Sequence, residues 1–296
     1  MDVLAVVDLK SPKHRKYIAA VNDYGKQHNV RVLKIDDPED ARELIKSEIA
    51  NNPDLVICIG RLVVYSALVE YIIQKSTQRP MVAVFSGGLD NDFCKTFETK
   101  SIRKVLTEMD QCEVVEASVT KLKMNGVCRY AVNMFTCGIG AKVVKNARSK
   151  SNLPDWLAYF LSILQVLSGY KAPKIRTAID DMLLTNRFWL IAIGQGIFAG
   201  NSLGLLPQSR LNSERSAVTL MTKPRIRDFI RHLFDLYRAK KITTDPRIVY
   251  TKAGSVEVSP LDGVLEIEGD GRIFVKLEPG RKAIFTTQPK ALKLLK

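Results

Sequence analysis

The sequence predicts an α/β domain on a parallel sheet, followed by a domain that is an antiparallel β-sandwich. Three observations carry this. Short apolar runs alternate with segments of helical period through the first 110 residues, the pattern of βαβ units. From about residue 112 the pattern changes to strand-like runs, often alternating in polarity, with turns such as Asn125-Gly126 and Asp262-Gly263 between them. A chain of 296 residues can also bury two substantial cores. The expected division is 1–122 for the α/β domain and 123–296 for a β-rich domain, whose last residues pack back on the first.

In the first half, VLAVVDL (3–9) reads as a strand and 12–28 as a helix. VRVLKI (30–35) is a second strand, and PEDARELIKSEIANN (38–52) is a helix with Asp37 or Pro38 near its start. DLVICIG is a third strand, 62–76 the next helix, and MVAVF (81–85) a fourth strand. Parallel strands joined by right-handed crossovers bind ligands beyond their carboxyl ends. Here those ends are Asp8-Leu9-Lys10, Asp36-Asp37, Gly60-Arg61 and Phe85 to Asp92.

In the second half the strand-like runs are CEVVEASVTKLKM, GVCRYAVNMFTCGIG, KIRTAID, FWLIAIGQGIF, SAVTLMTK, RIVYTKAGSVEVS, VLEIEGDGRIFVKLE and KAIFTT. Two helices interrupt them: 154–168, and the basic 223–241 with Pro224 in its first turn. The apolar 154–168 has two readings. Either it covers the β-rich core, or its end with Trp156, Tyr159 and Phe160 docks on a bilayer or lines an acyl pocket.

Composition narrows the function classes. Lys and Arg number 45 against 31 Asp and Glu, a net +14. The basic residues concentrate in 142–150, 171–176, 223–241 and the C-terminal KALKLLK. Solvated surface, an anionic membrane and nucleic acid are the readings of that charge. Aromatic residues are not interleaved with the basic clusters in an RNA-binding pattern, which ranks lipid above nucleic acid. The five cysteines form no CxxC pair and most lie in apolar runs, so they read as reduced structural thiols. His14, His28 and His232 show no metal spacing, and GxSxG is absent, which removes hydrolase chemistry of that type. No secretory signal is expected from Met1 to Pro12. Trp156 to Leu167, the most apolar stretch, is too short to span a bilayer. The expected location is cytoplasmic, with peripheral association at a membrane.

The motifs make a specific comparison possible. The segment 88-GLDNDFCK-95 is similar to LGTGNDFAR of the diacylglycerol kinase catalytic-domain family, which includes bacterial lipid kinases, sphingosine kinases and ceramide kinases, with NAD kinases more distant. In 195-QGIFAGNSLGLLPQS-209, Gly196, Phe198, Gly200 and Pro207 match the family's NG-x-Y-x-GGG…P-x-A run. The segment 130-YAVNMFTCGIGAKVV-144 resembles YFxNxxxxGFDAxV, with Gly140 where an Asp is usual, and 267-IEGDGR-272 resembles the DGE motif, with Arg272 for the Glu. The resemblance covers nearly the whole chain in order and spacing.

The family's GGDGT motif aligns with Gly60-Arg61-Leu62-Val63-Val64, so one residue of five survives. Glycines there let backbone N–H groups approach phosphates, and the Asp helps hold Mg2+. Leu62 cannot coordinate a metal, and two β-branched residues stand where the backbone turns tightly. NPxSG appears as 8-DLKSPK-13, and an Asp-Gly expected after Pro207 is Ser213-Glu214.

The resemblance implies ATP-dependent phosphorylation of a lipid hydroxyl, with ATP and Mg2+ as cofactors. It assigns Asp270 as general base, Gly60, Arg61, Gly88, Asn91 and Asp92 to nucleotide binding, and Gly138, Gly196 and Gly200 to a substrate cleft. The lost motifs lead instead to a pseudoenzyme that binds lipid, membrane or a protein partner, with no metal ligand assigned. The alternative is a working lipid kinase with a rearranged cradle, in which Arg61, Asn91 and Asp92 contact phosphates. A homodimer is a further expectation.

Overall fold

The structure is a computed structural model that describes residues 1–37, 42–75, 79–87, 91–97, 99, 101–150 and 152–296. The chain forms two compact units, Met1–Ser118 with Pro289–Lys296, and Val119–Gln288.

The first unit opens with β1 (Asp2–Asp8), α1 (His14–Gly25), β2 (Asn29–Ile35), α2 (Arg42–Ala50), β3 (Leu55–Ile59), α3 (Leu62–Lys75) and β4 (Met81–Phe85). Two short helices follow, α4 (Asp92–Thr96) and α5 (Ile102–Thr107). The four strands are parallel in the order β2-β1-β3-β4, and the tail of the chain adds beside β4 with Lys293 opposite Met81. The step from β1 to β2 runs one way along the sheet, and the steps to β3 and β4 run the other. Right-handed crossovers therefore put α1 on one face and α2 and α3 on the opposite one. Residues alternate accordingly. Val3, Ala5, Val7, Ile57 and Ile59 pack with Val21 of α1 and Ile102 and Val105 of α5, while the buried Leu4, Val6 and Val56 point away. β3 is buried along its whole length, as a strand covered on both faces must be.

Several bounds differ from those expected. α1 starts at His14 because residues 8–13 form a hydrogen-bonded loop: Ser11 N–H donates to the Asp8 carbonyl (3.0 Å), and His14 N–H to that of Ser11 (3.1 Å). Pro38, expected near the start of the second helix, lies outside the described residues, as does Ser76, the expected end of the third. The tail KALKLLK is a strand whose lysines, Lys290, Lys293 and Lys296, are exposed, while Ala291, Leu292, Leu294 and Leu295 are buried and Glu113 and Lys296 exchange two backbone hydrogen bonds.

Strand β5 (Val114–Met124) enters the second unit at Val119, and β6 (Val127–Ala131), β7 (Met134–Gly138), α6 (Ile139–Arg148), α7 (Asp155–Gly169), β8 (Ile175–Ile179), β9 (Met182–Asn186) and β10 (Leu190–Gly194) follow. After these come β11 (Phe198–Ala199), β12 (Leu203–Gly204), β13 (Ser216–Met221), α8 (Ile226–Tyr237), β14 (Ile248–Ala253), β15 (Ser255–Pro260), β16 (Leu265–Gly269), β17 (Ile273–Leu277) and β18 (Ala283–Leu295). One sheet runs β14-β13-β10-β7-β16-β17, antiparallel throughout. Opposite it, β18, β15, β8 and β9 pair antiparallel. Side chains from both sheets meet in one core: Phe135, Ile191, Val218 and Ile267 against Ile175, Val256, Val258 and Phe285, with the Phe135 and Phe285 rings 5.3 Å apart. This is the β-sandwich. The outer face of the six-stranded sheet is covered by α6 and α7 through Ile139, Val143, Val166 and Leu167.

The reading of 154–168 as a cover of the β-rich core holds for part of α7. Ala158, Ser162, Val166 and Leu167 are buried, while Trp156 stays 57% exposed. The strand-like run 126–140 forms β6 and β7 and ends at Gly138, where α6 begins. Gly138 has φ +99°, and a Cβ there would lie 2.5 Å from the Trp189 carbonyl oxygen, which accepts Ile139 N–H. α8 is shorter than 223–241, with Pro224 ahead of the Arg225 cap.

Candidate functional site

The turn after β3 brings together most of the residues singled out in the first unit. Gly60 has φ +144°, and a Cβ there would lie 2.3 Å from Asp8 Cβ, so β1 and β3 can approach here only because the residue is glycine. Asp8, at the end of β1, is completely buried. Arg61 donates to it from Nε (2.6 Å, Oδ2), from Nη2 (3.0 Å, Oδ1) and from its backbone N–H (3.2 Å, Oδ2). Lys10 N–H adds a bond to Oδ1 (3.1 Å). Such a fork-to-carboxylate arrangement is among the strong charge-assisted contacts.

Asn91 locks the same turn from another side. Its Nδ2 donates to the Gly60 carbonyl (2.9 Å), and its Oδ1 caps α4 by accepting from Phe93 N–H (3.1 Å) and Cys94 N–H (3.3 Å). Ser11 Oγ donates to the Gly87 carbonyl (2.6 Å). The three strand ends are thus laced together. Leu62 and Val63, half-buried, open α3, and Val64 and Tyr65 are buried, with Tyr65 4.9 Å from the Phe93 ring. Asp92 stands half-buried as the first residue of α4. Gly88 lies outside the described residues.

Among the described side chains of this turn, those nearest to where a phosphate and Mg2+ would lie are Asp8, Arg61 and Asp92. The first turn of α3 carries no acidic residue, and both oxygens of the nearby Asp8 are engaged by Arg61. Among the described residues no group of three or more His, Cys, Asp or Glu is placed to hold a metal ion. Arg61 bonds Asp8 while its side chain stays 30% exposed.

In the sandwich unit, Asp270 sits in the β16–β17 turn with φ +51° and is 4% exposed. Its carboxylate accepts backbone N–H bonds from Val132 (2.8 Å), Asn133 (3.2 Å) and Met134 (3.0 Å), clamping the β6–β7 connection. Two residues away lies a group that sequence reasoning missed. Glu268 is buried, accepting from Thr136 Oγ1 (2.9 Å) and Gly271 N–H (2.5 Å). Burial raises its carboxyl to about 7, further raised by Asp270 and opposed by those two hydrogen bonds and by Arg148. A carboxyl titrating near neutrality can take or give a proton. Gly140, aligned with an Asp of the family motif, leaves room for this pair: a Cβ there would meet Thr136 Oγ1 at 2.1 Å. Arg272 is half-buried at the same turn. The signal for Glu268 is weak, because alternation along β16 assigns it to the solvent side, where α6 covers it.

The glycines assigned to a substrate cleft have separate surroundings. Gly138 ends β7 beside Trp189, Gly196 lies against Asn133, and Gly200 turns between β11 and β12 beside the Tyr159 ring. Near Gly196 is a buried polar cluster. Gln195 Nε2 donates to Ser216 Oγ (3.2 Å), which also contacts Thr120 and Thr287, while Gln195 Oε1 and Asn133 Oδ1 have no donor among the described residues.

Residues 133–296 match the family model of the YegS C-terminal NAD kinase beta sandwich-like domain. A diacylglycerol kinase of Staphylococcus epidermidis is 24% identical over 222 residues, covering 73% of this chain and 68% of that protein. A Pseudomonas aeruginosa protein named as a YegS-like lipid kinase is 25% identical over 282 residues, covering 95% of this chain and 88% of its own. Among solved structures, a diacylglycerol kinase from Bacillus anthracis str. Sterne is similar with a TM-score of 0.74 at 16% identity, over 99% of this chain and 96% of that one. Yeast NADH kinase, solved with NADH, is similar with a TM-score of 0.57 at 12% identity, over 100% and 82%. At these identities the structural likenesses bear on fold alone.

Proposed function

The chain belongs to the family of the YegS C-terminal domain, whose relatives are named diacylglycerol kinase and YegS-like lipid kinase, and from that membership we propose a lipid-binding pseudokinase. It takes up a lipid, at a membrane or with a protein partner, without phosphorylating it. The observation that carries this reading is the Asp8–Arg61 pair closed over the Gly60 turn. Phosphoryl transfer depends almost wholly on positioning and on neutralising charge with metal ions. Losing one such contributor commonly costs about 10²–10³ in rate. Here the turn holds an internal ion pair where a phosphate cradle and metal carboxylate would stand.

Calorimetry of the full chain with ATP and Mg2+ is expected to show no binding. Phosphate transfer to diacylglycerol, sphingosine or ceramide in vesicles is expected to stay at background. Turnover that disappears in Asp270→Asn would overturn the proposal.

One observation favours the second reading, a working ATP-dependent lipid kinase with a rearranged cradle. Glu268, titrating near 7 beside Asp270, is suited to accept a proton from a lipid hydroxyl. That reading requires nucleotide binding in the calorimeter and turnover that Glu268→Gln removes.

A further inference from the structure

Helix α8 presents two rows of side chains to solvent. Ile226, Ile230, Phe234 and Tyr237 are 41%, 53%, 64% and 40% exposed. Their spacing of four, four and three residues lines them along one face. At 100° per residue, Arg227, Arg231 and Arg238 form the adjoining row, and all three are exposed. The Arg238 guanidinium lies 4.1 Å from the Phe234 ring, joining the two rows. The helix's acids lie off this face: Asp228 is buried and held by Arg247 (2.6 Å), and Asp235 is half-buried.

We propose that this face docks on an anionic lipid bilayer, with the apolar row sunk to the acyl boundary and the arginines at the lipid phosphates. A helix with an exposed apolar row and a cationic row beside it suits the plane of a membrane interface. The anionic surface attracts each arginine while the apolar side chains leave water. Charge complementarity selects this occupant over the others. A second copy laid on the same face brings arginine rows together, and nucleic acid leaves the isoleucines and Phe234 unused. With 12 residues, α8 lies on a bilayer and does not cross it. This docking is independent of whether the turn at Gly60 binds nucleotide.

The test is co-sedimentation of the full chain with phosphatidylcholine vesicles, with and without phosphatidylglycerol. These contain no diacylglycerol, sphingosine or ceramide, so the result does not depend on the pseudokinase reading. Binding is expected only with phosphatidylglycerol, and is expected to weaken as salt rises. Ile230→Ser with Phe234→Ser is expected to lower partitioning about 100-fold, and Arg227→Gln with Arg231→Gln about 10-fold or more. Phe234→Trp emission is expected to shift to the blue on the anionic vesicles. Far-UV circular dichroism is expected to stay unchanged in all three, since the replaced side chains are exposed. Vesicle binding unaffected by the serine pair would overturn the proposal. So would a dimer in solution that the serine pair dissociates, or duplex DNA binding lost with the arginines alone.

Discussion

In the parallel-sheet unit the buried Asp8 meets a guanidinium that engages both of its oxygens. In the sandwich unit the buried Glu268 meets one hydroxyl and one peptide N–H, and its carboxyl is raised to about 7. Both carboxyls lie next to turns that resemble family motifs, yet their chemistry has diverged. The first is a closed pair, so any ligand at the Gly60 turn competes with an internal ion pair before it gains a contact. The second keeps a proton within reach at neutral pH, in a unit where buried acceptors such as Gln195 Oε1 have no donor among the described residues.

The contrast can be broken by mutation, beginning with the clamp. Asp270→Ala leaves the Val132, Asn133 and Met134 N–H groups without their acceptor and is expected to cost about 4 kcal/mol in urea unfolding. A loss below about 1 kcal/mol would show that the β6–β7 connection does not rely on it.

Next is the pH dependence of Glu268. Its folded value is raised to about 7 from an ordinary 4.5, so the folded state retains a proton that the unfolded chain releases. Its contribution is complete below about 4.5 and is lost as pH rises through about 7, a change of a few kcal/mol. Unfolding followed from pH 5 to 8 is expected to show stability falling with pH, and Glu268→Gln is expected to flatten that slope. An unchanged slope in the variant would assign the dependence to other groups.

Asp8→Ala follows, expected to cost about 2 kcal/mol, less than for a fully buried pair because Arg61 is 30% exposed. A double-mutant cycle with Arg61→Ala measures the coupling directly, and a coupling near zero would mean the pair does not hold the turn.

The smallest effect is expected at Ser66, whose buried hydroxyl has no hydrogen-bond partner among the described residues. Ser66→Ala is expected to be neutral or stabilising by up to about 1 kcal/mol, since alanine loses no bond and favours the helix. Destabilisation by that amount would reveal a partner for the hydroxyl.

Much of the architecture was legible because burial repeats along the chain. LVICI reads as a strand covered on both faces, and β3 is one. The turns at Asn125-Gly126 and Asp262-Gly263 separate strands as their residue types suggest. The short α4 and α5 fall below the length at which helical period can be seen, and α6 was hidden in a run whose apolar residues also fit a strand. The run Gly60-Arg61-Leu62-Val63-Val64 located the turn, but not the partner that Arg61 takes there.

Those local periods determined the order of strands and helices, since side-chain direction follows from backbone geometry over a few residues. Only the tertiary structure decided the partner of Arg61, which lies 53 residues earlier, and that of Glu268, whose hydroxyl donor lies 132 residues away. It also decided which face of α8 remained in water. Contacts of that range leave no periodic trace. They depend on which strands become neighbours and on a glycine at 60 that lets β1 and β3 approach.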